Sequence, residues 1–503
     1  MEKIVDGKSY IESIRNRNLN VYLFGNKIKE PVDHDMIRPS INAIAKTYDL
    51  AVSDPELASV ISPFTGERIS RFLHICRSSK DLVLQNKMQR KLGQLTGTCF
   101  QRCVGMDAFN SLYSVTFEMD ERNGTNYHQK LISFLTLMHK YNFVLGGAMT
   151  DVKGDRSLGP SQQVDPDMFV HVTKRTSKGV YISGAKAHQT GCINSHWLMI
   201  MPTMRLLEED KKYAIVGAVP VSSKGITYIY GRQSCDTRSM EEGSIDVGNK
   251  EFGGQEAMVI FENVFIENKN IFMDGEYDFA AMLVERFTTY HRRSYVCKSG
   301  VGDVLIGAAA SIAEFNGVEK SSHIKDKLVQ MSHLNETIYA TGIASSYQGF
   351  KTKSGCFQCD DMLSNVCKHH VTKLPFEVSQ IAQDLAGGFV TTLPSEQDLN
   401  HPKIGKLLHK YLRGNSKFSS EERIRILRLI ENMTMGRNAV GYLTESVHGA
   451  GSPQAQRIQI GRMMQLEYKK RLAKILAGIE IEDDKKEIVD ELGDYFERVF
   501  NVK

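Results

Sequence analysis

"GVYISGAK" (179–186) is one of five short runs rich in β-branched and aromatic residues, with "HWLMIMPTM" (196–204), "YAIVGAVPV" (213–221), "ITYIYG" (226–231) and "AMVIFENVFI" (257–266). Glycine and polar turns separate them, so they read as strands of a small antiparallel sheet or barrel between about residues 141 and 275. On the N-terminal side the apolar period changes to that of helices, as in "DLVLQNKMQRKLGQL" (81–95) and "YHQKLISFLTLMHKY" (127–141). From residue 276 helical patterns return, interrupted by loops such as "NHPKIG" (400–405) and "RGNSKFSSEER" (413–423). The expected architecture is α+β: mainly α, with an N-terminal helical domain (1–140), a barrel-like middle β-domain (141–275), a C-terminal helical bundle (276–478) and an extension (479–503). Helical, then β, then helical argues for one interlocked body. In the extension, Ile488, Leu492, Tyr495 or Phe496, and Val499 fall on one helical stripe suited to docking.

With 503 residues, 41% hydrophobic and 24% charged, the composition is that of a globular protein of two or three domains. A net charge of +4 and the absence of any dense basic stretch argue against nucleic-acid and membrane-surface roles. The start is mixed and charged, with no apolar core of a secretion signal, and the apolar run at 303–315 is too short to span a bilayer. Nine cysteines, an odd number spread thinly, read as reduced thiols. A cytoplasmic enzyme is the expectation.

Phosphate-loop, dinucleotide, nucleophile-elbow and H-E-x-x-H patterns are missing. In "TCFQRC" (98–103) two cysteines stand four positions apart in what reads as one long helix, so Cys99 and Cys103 would share a face. They are either half a metal site or two packed thiols. "CFQC" (356–359) lies in a polar segment without a second ligand pair, and "KHH" (368–370) reads as a solvated helix face. "TTYHRRSYVCKSG" (288–300) gathers His291, Tyr295, Cys297 and Lys298, groups that are costly to bury without partners. Arg292 and Arg293 leave a solvated helix open as the alternative. Two thiols from one helix with a thiol and an imidazole from another would suit an iron–sulfur cluster or zinc. "GGAMTDVKGDRS" (146–157) and "SGAKAHQTGCINS" (183–195) are small-residue loops that a planar ligand can approach closely.

"CFQRCVGMDAFN" (99–110), "GAMTDVKGDRS" (147–157), "GAKAHQTGCINSH" (184–196), "YGRQSCDTR" (230–238), "FGGQEAMVIF" (252–261), "GVGDVLIGAAA" (300–310) and "TESVHGAGSPQAQR" (444–457) span nearly the whole chain. Together they closely resemble the 4-hydroxybutyryl-CoA dehydratases, a branch of the 4-hydroxyphenylacetate 3-hydroxylase-like flavoproteins, and more distantly the acyl-CoA dehydrogenases. The resemblance implies an acyl-CoA dehydrogenase-like fold, a homotetramer, FAD between β-domain and bundle, and a CoA-thioester substrate. It places Met149, Thr150, Asp155 and Arg156 in a first flavin segment, His188, Gln189 and Thr190 in a second, and Gly387 and Gly388 of "DLAGGF" (384–389) in a third, often from a neighbouring subunit. Thr190 becomes the hydrogen-bonding partner of the flavin's reactive edge.

The family's [4Fe–4S] cluster would fall on Cys99, Cys103, Cys297 and His291. The implied reaction is radical dehydration of 4-hydroxybutyryl-CoA to crotonyl-CoA, with isomerisation of vinylacetyl-CoA. His291 would also act as base, Glu256 and Glu445 as acid/base groups, Tyr295 and Lys298 as holders of substrate or leaving group, and Gln101 as a contact to thioester or cluster. One departure stands out: the family pattern has six residues between the histidine and the third cysteine, and here there are five. On a regular helix six positions leave two side chains about 120° apart. Either the backbone departs from regular helix, with Ser299, Gly300 and Gly302 absorbing the shift in a bulge, or the ligand is lost; retention is the expectation. The rival class is a reduced-flavin (FADH2) aromatic monooxygenase of the 4-hydroxyphenylacetate hydroxylase type, without iron. A non-enzymatic CoA- or flavin-binding protein is a third. Cys99, Cys103 and "HGAGSPQAQR" (448–457) favour the dehydratase.

Overall fold

The five β-runs do pair, but into two open sheets rather than a barrel in the computed structural model, which describes residues 2–479. The expected stripe Ile488, Leu492, Tyr495 or Phe496, and Val499 lies outside the described residues. One sheet runs Asn26–Ile28, Val21–Leu23, Ile226–Tyr230, Glu256–Glu267, Gly179–Thr190, His171–Thr176; the other runs Ile271–Asp274, Ile215–Pro220, Trp197–Ile200, Leu145–Ala148. Neither is purely antiparallel, because Val21 pairs with Tyr228 and Leu145 with Trp197 in parallel. The N-terminal region is therefore not only helical. Its hairpin turns through Phe24 and Gly25, both at positive φ (51° and 79°), the left-handed pair that matches the twist of a two-residue loop.

The core ignores the expected boundary at residue 140. Tyr10, Tyr48, Phe109 and Leu135 of the N-terminal helices share one apolar cluster with Val216, Val259 and Phe272 of the sheets. A second cluster joins Leu305, Ala309 and Ile312 to Leu427, Ile430 and Met433 in the C-terminal bundle. The run 277–315 is long and apolar enough to cross a membrane, yet 67% of its most apolar window is packed inside the molecule, as in a core helix.

Three helices position the thiols. Ser79–Thr96 starts with a capping box between Ser78 and Asp81 and stops at Gly97, whose φ of 58° no helix interior accepts. Residues 98–102 are irregular, and a new helix, Cys103–Asn123, begins at the second cysteine. The single helix expected through "TCFQRC" is thus broken, because glycine offers the left-handed C-cap at no steric cost. Cys297–Phe315 lies backbone to backbone on Ser79–Thr96: a Cβ at Gly300 would strike the Arg90 carbonyl, and one at Gly93 would come within 2.6 Å of the Cys297 carbonyl. That close approach brings Cys297 to the thiol loop.

Candidate functional site

Cys99, Cys103, His291 and Cys297 line a single small cavity, together with Gln101, Val104, Thr190, Ser294, Tyr295 and Glu445. The thiol loop is held on several sides. Arg102 is buried with its guanidinium between the Tyr48 and Phe72 rings (4.5 and 4.7 Å to the centroids), and it donates to Thr47 and Ser70. Gln101 adopts a left-handed φ of 64°. Its amide nitrogen donates to the Ser40 and Gly253 carbonyls (2.8 and 3.1 Å), and its oxygen accepts from Asn194 (2.9 Å). Its polar atoms are thereby engaged in shaping the loop. Thr98 donates to Asn438 (3.0 Å), tying the loop to the segment that leads to Glu445.

The five-residue gap between His291 and Cys297 is resolved by geometry. Helix Ala280–Ser294 ends after His291, and the backbone bonds Tyr295→Arg292, Val296→Arg293, Lys298→Tyr295 and Ser299→Val296 all span three residues. Such tightened turns carry three residues each, so six positions complete two turns and bring Cys297 back toward the face of His291. The departure from regular helix lies at 295–299, ahead of the expected glycines; Gly300 and Gly302 serve close packing against Arg90 and Asn335 instead.

His291 is oriented by a residue the sequence reading missed. Its Nδ1 bonds the buried Asp107 carboxylate at 2.8 Å, while the other Asp107 oxygen accepts from Ser294 at 3.0 Å. The ring stacks on Phe287 (5.4 Å, 16°) and meets Tyr295 edge-on (5.4 Å, 76°). Among the described residues Nε2 has no hydrogen-bond partner. A signal existed: an Asp inside the apolar stretch "VGMDAF" (104–109) needs a buried partner. Arg292 and Arg293 are buried, not solvated; Arg293 donates to Leu82, Asn86 and Gln85.

Burial pushes the Cys99 and Cys103 thiols well above their usual range and Cys297 up to about 11, and the Cys297 sulfur further raises the other two. Gln89 donates to the Cys103 sulfur at 3.2 Å. Three half-buried thiols face one space, beside an imidazole whose other nitrogen a carboxylate fixes; a cationic centre placed there would reverse those shifts. Among the described residues no three His, Cys, Asp or Glu side chains are grouped to hold a single metal ion.

Behind the cavity residue Thr190, Glu256 lies directly across the strands, and the Thr190 hydroxyl donates to it at 2.6 Å. The other Glu256 oxygen is sealed without a partner, as is the Tyr295 hydroxyl. Burial, and then the nearby Glu445, raise the Glu256 carboxyl well above the usual range. Lys298 Nζ donates to Glu445 (2.9 Å) and to the Gly441 carbonyl; burial opposes its charge, but Glu445 holds the ammonium above its ordinary value. Glu445 follows a π-helical turn, Val440–Thr444, a distortion frequent at functional sites.

The two flavin segments lie side by side. Gln189 accepts from the Met149 amide (2.8 Å) and donates to the Thr150 carbonyl (3.0 Å), and the buried Lys186–Asp151 pair pins the same loop. His188, Asp155 and Arg156 are exposed on that side. Gly387 and Gly388 are exposed, and a Cβ built at either would meet no described residue beyond its immediate chain neighbours within 4 Å, so the segment faces open space. "CFQC" is buried rather than polar: Cys356 bonds Tyr290 (3.3 Å), and both thiols are packed in the core. "KHH" is not a solvated face either, since Lys368 is fully buried.

The chain matches the family described as 4-hydroxyphenylacetate 3-hydroxylase, its N-terminal part over residues 6–273 and its C-terminal part over 280–478. It is 52% identical to the 4-hydroxybutyryl-CoA dehydratase/vinylacetyl-CoA-Δ-isomerase of Clostridium aminobutyricum, over 95% of this chain and 100% of that one. It is similar, at 65% identity, TM-score 0.95 and full coverage of both chains, to the structure of an oxygen-tolerant archaeal 4-hydroxybutyryl-CoA dehydratase from N. maritimus. A 4-hydroxyphenylacetate 3-monooxygenase oxygenase component solved with FAD shares the fold at 20% identity and TM-score 0.82, covering 94% of this chain and 98% of that one.

Proposed function

Because the chain belongs to the 4-hydroxyphenylacetate 3-hydroxylase family, on its dehydratase branch, we propose that it removes water from 4-hydroxybutyryl-CoA to give crotonyl-CoA and isomerises vinylacetyl-CoA to the same product. The observation that carries this reading is the cavity that gathers Cys99, Cys103, Cys297 and His291 with Thr190, Tyr295 and Glu445. An aromatic monooxygenase has no use for that thiol set. FAD would be held along Met149–Thr150 and His188–Thr190, with Asp155 and Arg156 at its solvent side. A [4Fe–4S] cluster would take the three thiols and His291 Nε2, ligands spread round a cavity rather than closed on one ion. When bound, the flavin supplies one-electron redox chemistry and the cluster Lewis acidity toward a hydroxyl.

The chain's own residues handle protons and position. Glu256, with its raised carboxyl and a sealed oxygen, is set up as a proton donor beside Thr190. Glu445, paired with Lys298, is set up as a base, and His291 shares that role when Nε2 is free. The unpartnered Tyr295 hydroxyl can donate to the departing oxygen. Gln101 holds the loop. Gly387 and Gly388, open to solvent here, suit a flavin contact from a neighbouring subunit. Exposed Val329 and Tyr347 on the Ser322–Tyr347 helix offer apolar surface that a homotetramer would cover. The helical–β–helical order supports an acyl-CoA dehydrogenase-like plan.

The test is product analysis on protein prepared without oxygen. Crotonyl-CoA formed from 4-hydroxybutyryl-CoA, with no hydroxylation of 4-hydroxyphenylacetate when reduced FAD and oxygen are supplied, is the expected result. The reverse pattern would overturn the dehydratase in favour of the monooxygenase.

A further inference from the structure

Lys368 is fully buried on the Asp361–Val371 helix, and none of the roles above uses it. Its Nζ stands 3.6 Å from the centroid of the Tyr295 ring and donates to the Ser446 carbonyl. Lys298 lies over the same ring at 5.3 Å, but its ammonium is engaged by Glu445. The phenol is thus flanked by two buried amines, with its hydroxyl unpartnered and the ring lining the thiol cavity. The Gly449 backbone closes in on that hydroxyl so tightly that a Cβ there would overlap it. Ser446, the other contact of Lys368, is the residue next to Glu445. Burial, only partly offset by the nearby Glu445, drives the Lys368 amine well below its usual range. Sealing an amine in this way is unfavourable, and a methionine would fill the same space without that penalty.

We propose that Lys368 is a positioning residue for the elimination: it fixes the Tyr295 ring so that its hydroxyl meets the departing oxygen. An N–H held over the ring face also draws electron density from the phenol and strengthens its O–H as a donor. The proposal rests on the dehydratase reading.

The test uses the cofactor-loaded enzyme and Lys368→Met. The expected result is a kcat lower by about 10- to 100-fold with KM changed less than about threefold, since the interaction acts in the transition state. Iron and flavin contents should match the parent, and Tm should be equal or higher, because an apolar side chain replaces a buried amine. In a Tyr295→Phe background the same substitution should lower kcat by less than about threefold more, because Lys368 acts through that hydroxyl. Parental kcat in Lys368→Met, a full additive loss in the double variant, or a fall in Tm with loss of iron and flavin would each overturn the proposal. A parent enzyme that makes no crotonyl-CoA would instead fail the functional reading on which it rests.

Discussion

Asp107 fixes what His291 can do. With Nδ1 bonded to the carboxylate, Nε2 is the nitrogen presented to the cavity, the arrangement that orients imidazole ligands of metals. Asp107→Asn should therefore weaken iron retention by about 10- to 100-fold while leaving flavin bound; iron content equal to the parent after challenge with a chelator would show that Asp107 has no such role. The two glutamates separate in a second experiment. Glu256→Gln mimics the protonated acid, so cofactors and Tm should be kept while turnover falls by about 10²–10⁴. Glu445→Gln should lower turnover similarly but also destabilise by about 3–5 kcal/mol, because Lys298 is left buried without its anion. Flavin loss in step with activity in Glu256→Gln would mean a structural role.

Elements carry the thiols to one place, and here the sequence was only partly legible. The helix through "TCFQRC" was misread although Gly97 stood at its end; the apolar pattern resumes after a short loop and hides the break. The turn at 295–299 was legible only as a spacing anomaly, since three-residue hydrogen bonding depends on tertiary packing rather than local composition. Lys368 could have been found: Ser364, Cys367, Lys368 and Val371 share one buried stripe of their helix, and charge alone suggested solvent. Gly300→Ala tests the backbone contact that delivers Cys297. Its Cβ would strike the Arg90 carbonyl, so about 1–3 kcal/mol of stability should be lost, with iron lost alongside. Unchanged thermal unfolding would show that the two helices have room.

At the scale of the whole molecule, the helical–β–helical order was readable from periodicity. The sharing of one core by the first two regions was not, because parallel pairings such as Val21 with Tyr228 join segments far apart in the chain. The same long-range folding makes one cavity from cysteines 194 positions apart, Cys103 and Cys297, and the account stands on what fills it. The most direct measurement is iron and acid-labile sulfide per chain in protein purified without oxygen, for the parent, Cys99→Ala, Cys297→Ala and Cys356→Ala. About four irons and four sulfides in the parent and in Cys356→Ala, with loss in Cys99→Ala and Cys297→Ala, is the expected result for a [4Fe–4S] cluster held by the cavity thiols. Iron-free parent protein that still forms crotonyl-CoA, or equal loss in Cys356→Ala, would contradict it.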